Sequence, residues 1–148
     1  MFSQTVDYAL RVATWLAASG GESSTSGEIT EATGVPAGYL VKVLQTLRRA
    51  GLLECQRGLG GGCRLARPAT EITILEVVNA IDPIRRIERC PLGREHRGET
   101  LCPLHRKMDA AIAEIEGAFS STLLADLIVV HDDNSPLCRP SPDAGPGR

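Results

Sequence analysis

The chain opens with three segments in which apolar residues recur every three or four positions, the spacing of amphipathic helices. The first segment ends at a pair of glycines. The second starts with Thr25 and Glu28 in a capping-box pattern and ends at Gly34, a natural left-handed C-cap. The third begins with Pro36 in its first turn and ends at Gly51. Two helices joined by so short a glycine turn indicate a helix-turn-helix.

A period of two replaces the helical spacing immediately after the third segment. Leu53 and Cys55 alternate with polar neighbours, as do Cys63 and Leu65, and the glycine-rich run between them supplies a turn. This pattern predicts a β-hairpin that carries Cys55 and Cys63 on one face, where we expect them to be small buried side chains. The predicted fold class is therefore mainly α with a small β-hairpin, a winged helix-turn-helix.

The second half of the chain predicts two further helices with a loop between them. A short helix runs from Ile74 to Ile81, and the segment after it is charged and aperiodic. Pro103 opens a last helix with a long apolar stripe from Met108 to Thr122. Because only short helices are available to cover that stripe, we expect a homodimer formed through this helix.

The predicted organisation has four segments. Residues 1–83 form the winged-helix DNA-binding domain, 84–102 a Cys/His sensor loop, 103–130 the dimerisation helix and 131–148 a disordered tail rich in Pro, Gly, Ser and Asp.

Composition indicates a globular protein with an uneven charge. Of the 148 residues 43% are apolar, and no run is long enough for a membrane span. The net charge is −2, but basic residues outnumber acidic ones over 1–67 and over 85–107, and a local basic surface matters most for DNA. The N-terminus has no signal-peptide pattern, so we expect a cytoplasmic protein. Five cysteines in that compartment argue against a disulfide framework.

The loop before the last helix carries the candidate metal chemistry. Cys90, His96, Cys102 and His105 are spaced Cys-x5-His-x5-Cys-x2-His, and two of the three histidines of the chain lie there. Thiolate and imidazole ligands suit iron–sulfur clusters or zinc. A zinc site made of these four residues satisfies tetrahedral coordination. The other interpretation is a packed turn without metal, in which a regulator responds through its thiols alone.

Several stretches of the chain resemble the Rrf-two family of bacterial winged-helix transcriptional regulators. The resemblance covers roughly residues 2–128, and its matching stretches are Asp7 to Arg11, Tyr39 to Arg48, Arg57 to Gly62, Leu65-Ala66, Ile74 to Val78 and the two Cys-Pro-Leu elements. It implies a homodimeric repressor that binds a palindromic double-stranded DNA operator and senses redox, nitric oxide or iron–sulfur status. Cys63 departs from the family, which usually has an aromatic residue there.

The resemblance also implies a ligand set. Cluster-binding members have three cysteines at the spacing found here, whereas His96 replaces the middle one. Asp7 matches a position from which some members supply a ligand across the dimer, and His105 is a competing nitrogen ligand. Two sulfur and two harder ligands favour a [2Fe–2S] centre over a [4Fe–4S] one.

The DNA contacts predicted for this fold come from the third helix and the wing. The second helix of a helix-turn-helix enters the major groove by its N-terminal part. Its outward residues are Tyr39, Lys42 and Gln45, of which Lys42 suits guanine or phosphate and Gln45 suits adenine or phosphate. Arg57 at the wing tip suits the minor groove, and Gly60 and Gly61 allow a close approach to the DNA backbone. The glycine run lies in a hairpin and not before a helix, so it is no phosphate loop, and we expect no enzyme activity.

Overall fold

The chain begins with helix α1 (Gln4–Ala18), whose first turn is capped by the hydroxyl of Ser3. The computed structural model describes residues 2–93, 98–128 and 137. These residues form five α-helices and one antiparallel hairpin. The other elements, in chain order, are α2 (Ser26–Thr33), α3 (Ala37–Arg49), β1 (Leu53–Gln56), β2 (Gly62–Leu65), α4 (Ile74–Ile81) and α5 (Pro103–Ser120), with short 3-10 helices at Ala69–Glu71 and Leu124–Leu127.

Local capping fixes the helix-turn-helix as predicted. The Glu28 carboxylate accepts a hydrogen bond from the Thr25 N–H at 2.7 Å, and the Thr25 hydroxyl accepts one from the Glu28 N–H at 3.3 Å. Gly34 ends α2 with φ of 68°, a left-handed conformation that glycine adopts without a steric penalty. The predicted winged-helix fold class is confirmed.

The second strand of the wing has a backbone partner on each side. Strands β1 and β2 are in register with Cys55 opposite Cys63. On its other side, Cys63 exchanges two backbone hydrogen bonds with Ser24, at 2.8 and 2.9 Å. A Cβ at Gly62 would lie 2.5 Å from the Ser24 oxygen, so only glycine fits where the strand meets this segment. No pattern in the sequence indicates this bridge between Ser24 and Cys63.

The expectation that Cys55 and Cys63 are buried fillers without a disulfide is wrong. The two side chains are joined by a disulfide bond across the hairpin, with their Cα atoms 4.1 Å apart. Burial was predicted well for Cys63, which is 7% exposed, while Cys55 is half-buried. The cause of the error is that composition alone does not reveal two cysteines placed directly opposite each other in a hairpin.

The core lies between α1 and the elements around it. Helix α1 contacts α2, α3, α4, β2 and the second 3-10 helix. The largest fully buried side chains of the core are Leu16, Ile29, Leu40, Leu47, Ile72 and Leu124. Leu124 was not expected in this core, because the sequence pattern suggested one continuous helix there.

Helix α5 is shorter than the predicted 103–130 segment. It ends at Ser120, so Thr122 is not part of its apolar stripe. The chain then turns back: the Ile74 N–H donates to the Thr122 oxygen and the Leu124 N–H donates to the Ile72 oxygen, at 2.9 and 2.8 Å. The hydrophobic effect explains the turn, since Leu124 becomes completely buried against the winged helix.

Two sequence predictions lie wholly or largely outside the described residues. The proposed ligand His96 is one, and the predicted disordered tail over 131–148 is the other, apart from residue 137. No helix in the described part of the chain has the length and apolar character to cross a membrane.

Candidate nucleic-acid interface and metal centre

Helix α3 has one buried and one exposed face. Leu40, Val43 and Leu47 are almost completely buried. Tyr39, Lys42 and Gln45 are exposed, as their positions in the sequence predicted. The buried apolar side chains pack α3 against the core. The side chains that can form hydrogen bonds are therefore directed outward.

Tyr39 packs against an aromatic and cationic group on α1, which consists of Tyr8 and Arg11. Its ring meets the edge of the Tyr8 ring at a centroid distance of 5.6 Å. The Arg11 guanidinium lies 5.7 Å from the Tyr8 ring centroid and donates to the Thr33 oxygen at 3.5 Å. Arg11 therefore orders the surface beside the N-terminal part of α3.

The basic residues near this surface differ in their ion pairs. Arg11 pairs with Asp7 at 2.6 Å and Arg64 pairs with Glu54 at 3.1 Å. In the described ranges, neither Lys42 nor Arg57 has an ion-pair partner, and both are exposed. These two cations are available to an anionic ligand without first breaking a salt bridge.

The wing tip uses its glycines for its own turn. Gly60 has φ of 74°, and a Cβ at Gly61 would lie 2.6 Å from the Gln56 oxygen and 2.8 Å from the Gly58 oxygen. Gly61 is thus required by the hairpin itself, whatever it contacts outside. Sequence reasoning missed Leu59, a fully exposed apolar side chain at the tip, although its place in the glycine run was visible.

Three of the predicted metal ligands converge. The ligand atoms of Cys90, Cys102 and His105 all lie within 4.8 Å of one another. His105 Nδ1 is 3.1 Å from Cys102 Sγ and 3.6 Å from Cys90 Sγ. Cys90 is 8% exposed, while the other two are half-buried. His105, which the sequence analysis ranked behind His96, is therefore the imidazole that the structure brings to the two cysteines.

Backbone contacts hold the three ligands together. The Cys90 N–H donates to the Thr100 oxygen at 3.1 Å, which joins the two ends of the loop. Cys102 is the N-cap residue of α5 and Pro103 starts the helix, as predicted. His105 follows in the first turn, so its ring returns to the Cys102 thiol. The positive end of the helix dipole also favours anionic ligands at this place.

The donor set fits a metal ion in chemistry and spacing. Sulfur at about 2.3 Å and nitrogen at about 2.0–2.1 Å from a tetrahedral ion lie about 3.6 Å apart. The Cys90–His105 separation of 3.6 Å has this value, and the Cys102–His105 separation of 3.1 Å is somewhat shorter. Three donors leave one coordination position for a further ligand.

Asp7 is not a member of this group within one chain. The donors that the structure groups are Cys90, Cys102 and His105. The Asp7 carboxylate is half-exposed and is bound by Arg11 instead. A ligand role for Asp7 would require it to leave Arg11 and to reach a loop of another copy of the chain.

An ion pair attaches the segment that follows α4 to α5. The Asp109 carboxylate accepts hydrogen bonds from Arg86 Nε at 2.8 Å, from Arg86 Nη2 at 2.5 Å and from the Ile87 N–H at 2.8 Å. The Arg86 hydrogen bond and then that of Ile87 lower the pKa of Asp109 to about 2. The pairing with Asp109 raises the pKa of Arg86. Glu116, whose Oε2 lies 3.7 Å from Arg86 Nη1, raises that pKa further.

Comparison with known proteins gives a family match over nearly the whole chain. The model of the Rrf2 family, described as an iron-dependent transcriptional regulator, matches residues 2–129. The chain is 38% identical over 123 residues to Protein aau3 of Rhizobium meliloti (strain 1021), covering 82% of this chain and 77% of that protein.

Solved structures show the same fold. CymR (YrzC), the global cysteine regulator of B. subtilis, is similar with a TM-score of 0.71 and 24% identity, over 86% of this chain and 95% of that one. T. potens IscR is similar with a TM-score of 0.70 and 22% identity, over 86% of this chain and 85% of the other.

The Asp109 ion pair leads to a prediction for the pH dependence. A carboxylate with a lowered pKa stabilises the folded state above its ordinary pKa of 3.8 and loses this effect as the pH falls through about 2. Carbon-13 NMR of the Asp109 carboxyl should therefore give a titration midpoint near 2. Arg86→Ala should move the midpoint towards 3.8, whereas the neighbouring Arg85→Ala should leave it unchanged. A midpoint near 3.8 in the unaltered protein would contradict the ion pair.

Proposed function

The chain belongs to the Rrf2 (Rrf-two) family of transcriptional regulators, and we propose that it is a cytoplasmic repressor that binds a palindromic operator as a homodimer and responds through a metal held by its Cys/His loop. The observation that carries this proposal is the exposed N-terminal part of α3 beside a wing with a cationic tip. Members of the family are transcriptional regulators, in agreement with the prediction that the chain is not an enzyme.

DNA docking follows from the exposed and buried faces of α3. Lys42 and Gln45 reach the major groove, where Lys42 donates to guanine or phosphate and Gln45 contacts adenine or phosphate. Tyr39, held against Tyr8, donates its hydroxyl to a phosphate and sets the depth of the helix. Arg57 enters the minor groove, and Gly60 and Gly61 keep the wing tip narrow enough to follow it.

We predict that Lys42→Ala and Arg57→Ala each weaken DNA binding by about 1–3 kcal/mol if the side chain contacts a base. The measurement is a titration, followed by fluorescence anisotropy, of a duplex that the unaltered protein selects from a random-sequence pool. Lys107→Ala removes the same charge from the exposed surface of α5 and serves as the control. Unchanged affinity of both test variants, with the fold intact by circular dichroism, would refute the winged-helix docking.

The homodimer is supported by the surface of α5. None of the residues of this 18-residue helix is buried in the single chain. Leu104 and Met108 are 63% and 47% exposed, and Ile112 and Ile115 are only half-buried. A helix with this much accessible apolar surface gains free energy when a second copy covers it.

We predict that Ile112→Glu yields monomers or aggregates, because a carboxylate would be buried without a partner in the interface. Sedimentation velocity at micromolar concentration should show a dimer for the unaltered protein. Glu114→Gln, on the exposed side of α5, should remain dimeric. A monomeric unaltered protein at that concentration would exclude α5 as a stable interface.

The metal proposal is an iron–sulfur cluster, with [2Fe–2S] as its form. The description of the family as an iron-dependent regulator supports iron. Cys90, Cys102 and His105 would hold it. The fourth ligand would come from His96 or from Asp7 of a second copy. Held by Cys90 and Cys102, a cluster would supply redox chemistry and reactivity towards nitric oxide, so that redox, nitric oxide or iron–sulfur status would be the signal.

Zinc is the second candidate, and the donor spacing favours it. Three donors within 4.8 Å of one another surround a single ion, whereas a [2Fe–2S] centre distributes two protein ligands to each of two irons. A zinc ion with Cys90, Cys102, His105 and one further ligand would fix the loop against α5. The regulator would then respond through its thiols.

We predict that Cys90→Ala and Cys102→Ala each abolish metal binding, because no other thiolate in the described residues is grouped with them. His105→Ala should make the metal labile. Weaker metal binding in His96→Ala or in Asp7→Ala would identify which of the two residues is the fourth ligand. The measurement is anaerobic purification with an absorption spectrum and analysis of iron, sulfide and zinc. Cys138→Ala is the matched control.

Visible absorption with equal iron and sulfide supports the cluster. A colourless protein with one zinc per chain would refute the cluster and support the zinc site. A protein with neither metal refutes both and leaves the loop as a structural turn.

A further inference from the structure

The disulfide of the wing lies outside the metal loop and next to the proposed DNA contacts. Cys55 and Cys63 are directly opposite in the hairpin. Arg57 follows Cys55 by two residues, and the glycine turn leads back to Cys63. The bond therefore closes the base of the tip that carries Arg57.

The strand register of the hairpin places the two cysteines directly opposite each other. The N–H and C=O of Cys63 both bond to Ser24, so they face away from β1, and the pair with Cys55 is a non-hydrogen-bonded one. The Cα atoms of such a pair lie about 4.5 Å apart in any antiparallel ladder. The observed separation is 4.1 Å, so the strands need little movement to form or release the bond.

We propose that Cys55 and Cys63 form a reversible dithiol–disulfide site that sets the order of the wing tip and thereby the affinity for DNA. This inference rests on the proposed function for the reducing compartment and for the effect on DNA, whereas the pairing of the two cysteines is independent of it. A regulator that meets its operator in a reducing compartment has little use for a permanent disulfide, and disulfides found there are usually transient or redox-sensing.

The step balances with a peroxide as the oxidant. The Cys55 thiolate attacks one peroxide oxygen, the O–O bond breaks, and Cys55 becomes a sulfenic acid with release of one water. The Cys63 thiolate then attacks the Cys55 sulfur, the S–O bond breaks and a second water leaves. Two thiols and one hydrogen peroxide thus give one disulfide and two waters. Cys55 reacts first because it is half-buried, whereas Cys63 is 7% exposed.

Reversal uses a small thiol such as glutathione. Its thiolate attacks one sulfur of the bond, the S–S bond breaks and a mixed disulfide forms. A second thiol resolves the mixed disulfide, so that two glutathiones are oxidised to glutathione disulfide and both cysteines of the wing are reduced.

The direction of the effect follows from the loss of conformational freedom. A two-stranded hairpin of four-residue strands is only marginally ordered by its own hydrogen bonds. The disulfide restricts the tip before binding, so less entropy is lost when Arg57 docks. The oxidised protein should therefore bind DNA more tightly than the reduced one.

Trypsin gives a direct readout of the pair. Cleavage after Arg49, Arg57 and Arg64 places Cys55 in peptide 50–57 and Cys63 in peptide 58–64. The full-length protein is treated with hydrogen peroxide or with millimolar reduced glutathione, alkylated, denatured and digested. We expect the two peptides to be linked after peroxide and to be separate and alkylated after glutathione. A linkage that survives glutathione, or that never forms with peroxide, would overturn the proposal.

DNA affinity is then measured in both states with the duplex selected from a random-sequence pool. We expect about three- to tenfold tighter binding after oxidation, consistent with restricting a few residues in advance. Cys55→Ser should abolish this difference while retaining Cys90 and Cys102, so an effect that persists in it belongs to the metal loop and overturns the assignment to the wing. Cys63→Ala, which keeps the buried position apolar, is the second variant, and Cys138→Ser is the control.

The outcomes separate this inference from the proposed function. Equal or weaker binding of the oxidised protein overturns the effect on DNA. If neither state binds DNA while the peptides still link and separate, the proposed function fails and the redox chemistry of the pair stands.

Discussion

The burial of helix α1 is the constraint on which the arrangement of the other elements depends. Its apolar face is covered by α2, α3, α4, the second wing strand and the 3-10 helix after α5. Each large side chain removed from water there contributes about 1.5–3 kcal/mol. Because α1 packs against both the helix-turn-helix and the wing, the two elements proposed to contact DNA are positioned by the same helix. Through Tyr8, which touches Tyr39, α1 also reaches the exposed surface of α3.

The parts of the fold that the sequence predicted are those fixed by local interactions. The capping box of Thr25 and Glu28, the left-handed Gly34 and the alternation around Cys63 each determine the geometry of a few neighbouring residues. The parts it missed depend on contacts between distant segments. The bridge from Ser24 to the wing and the return of Leu124 into the core have no periodic signature.

The candidate metal site shows the same division. The spacing of the cysteines identified Cys90 and Cys102, but it ranked His105 behind His96, because the distance from His105 to the thiols depends on where α5 starts. Once Cys102 is the N-cap, the first helical turn carries His105 back to it. Two of the three grouped donors thus belong to the start of α5, and Arg86 with Asp109 attaches the other end of the loop one turn further along. Any ligand held there acts directly on the helix with the exposed apolar face.

The bridge between Ser24 and Cys63 has a mechanical consequence. Ser24 immediately precedes Thr25, the residue that caps α2, so the wing is fastened to the beginning of the helix-turn-helix. Force applied to the wing is therefore transmitted to α2 and α3, and the wing does not bend about a hinge relative to these helices. The distance between α3 and the base of the wing is then fixed within the chain. If the proposed docking holds, adaptation to operators of different geometry is left to the few tip residues beyond the strands and, in the proposed homodimer, to rotation of one copy relative to the other.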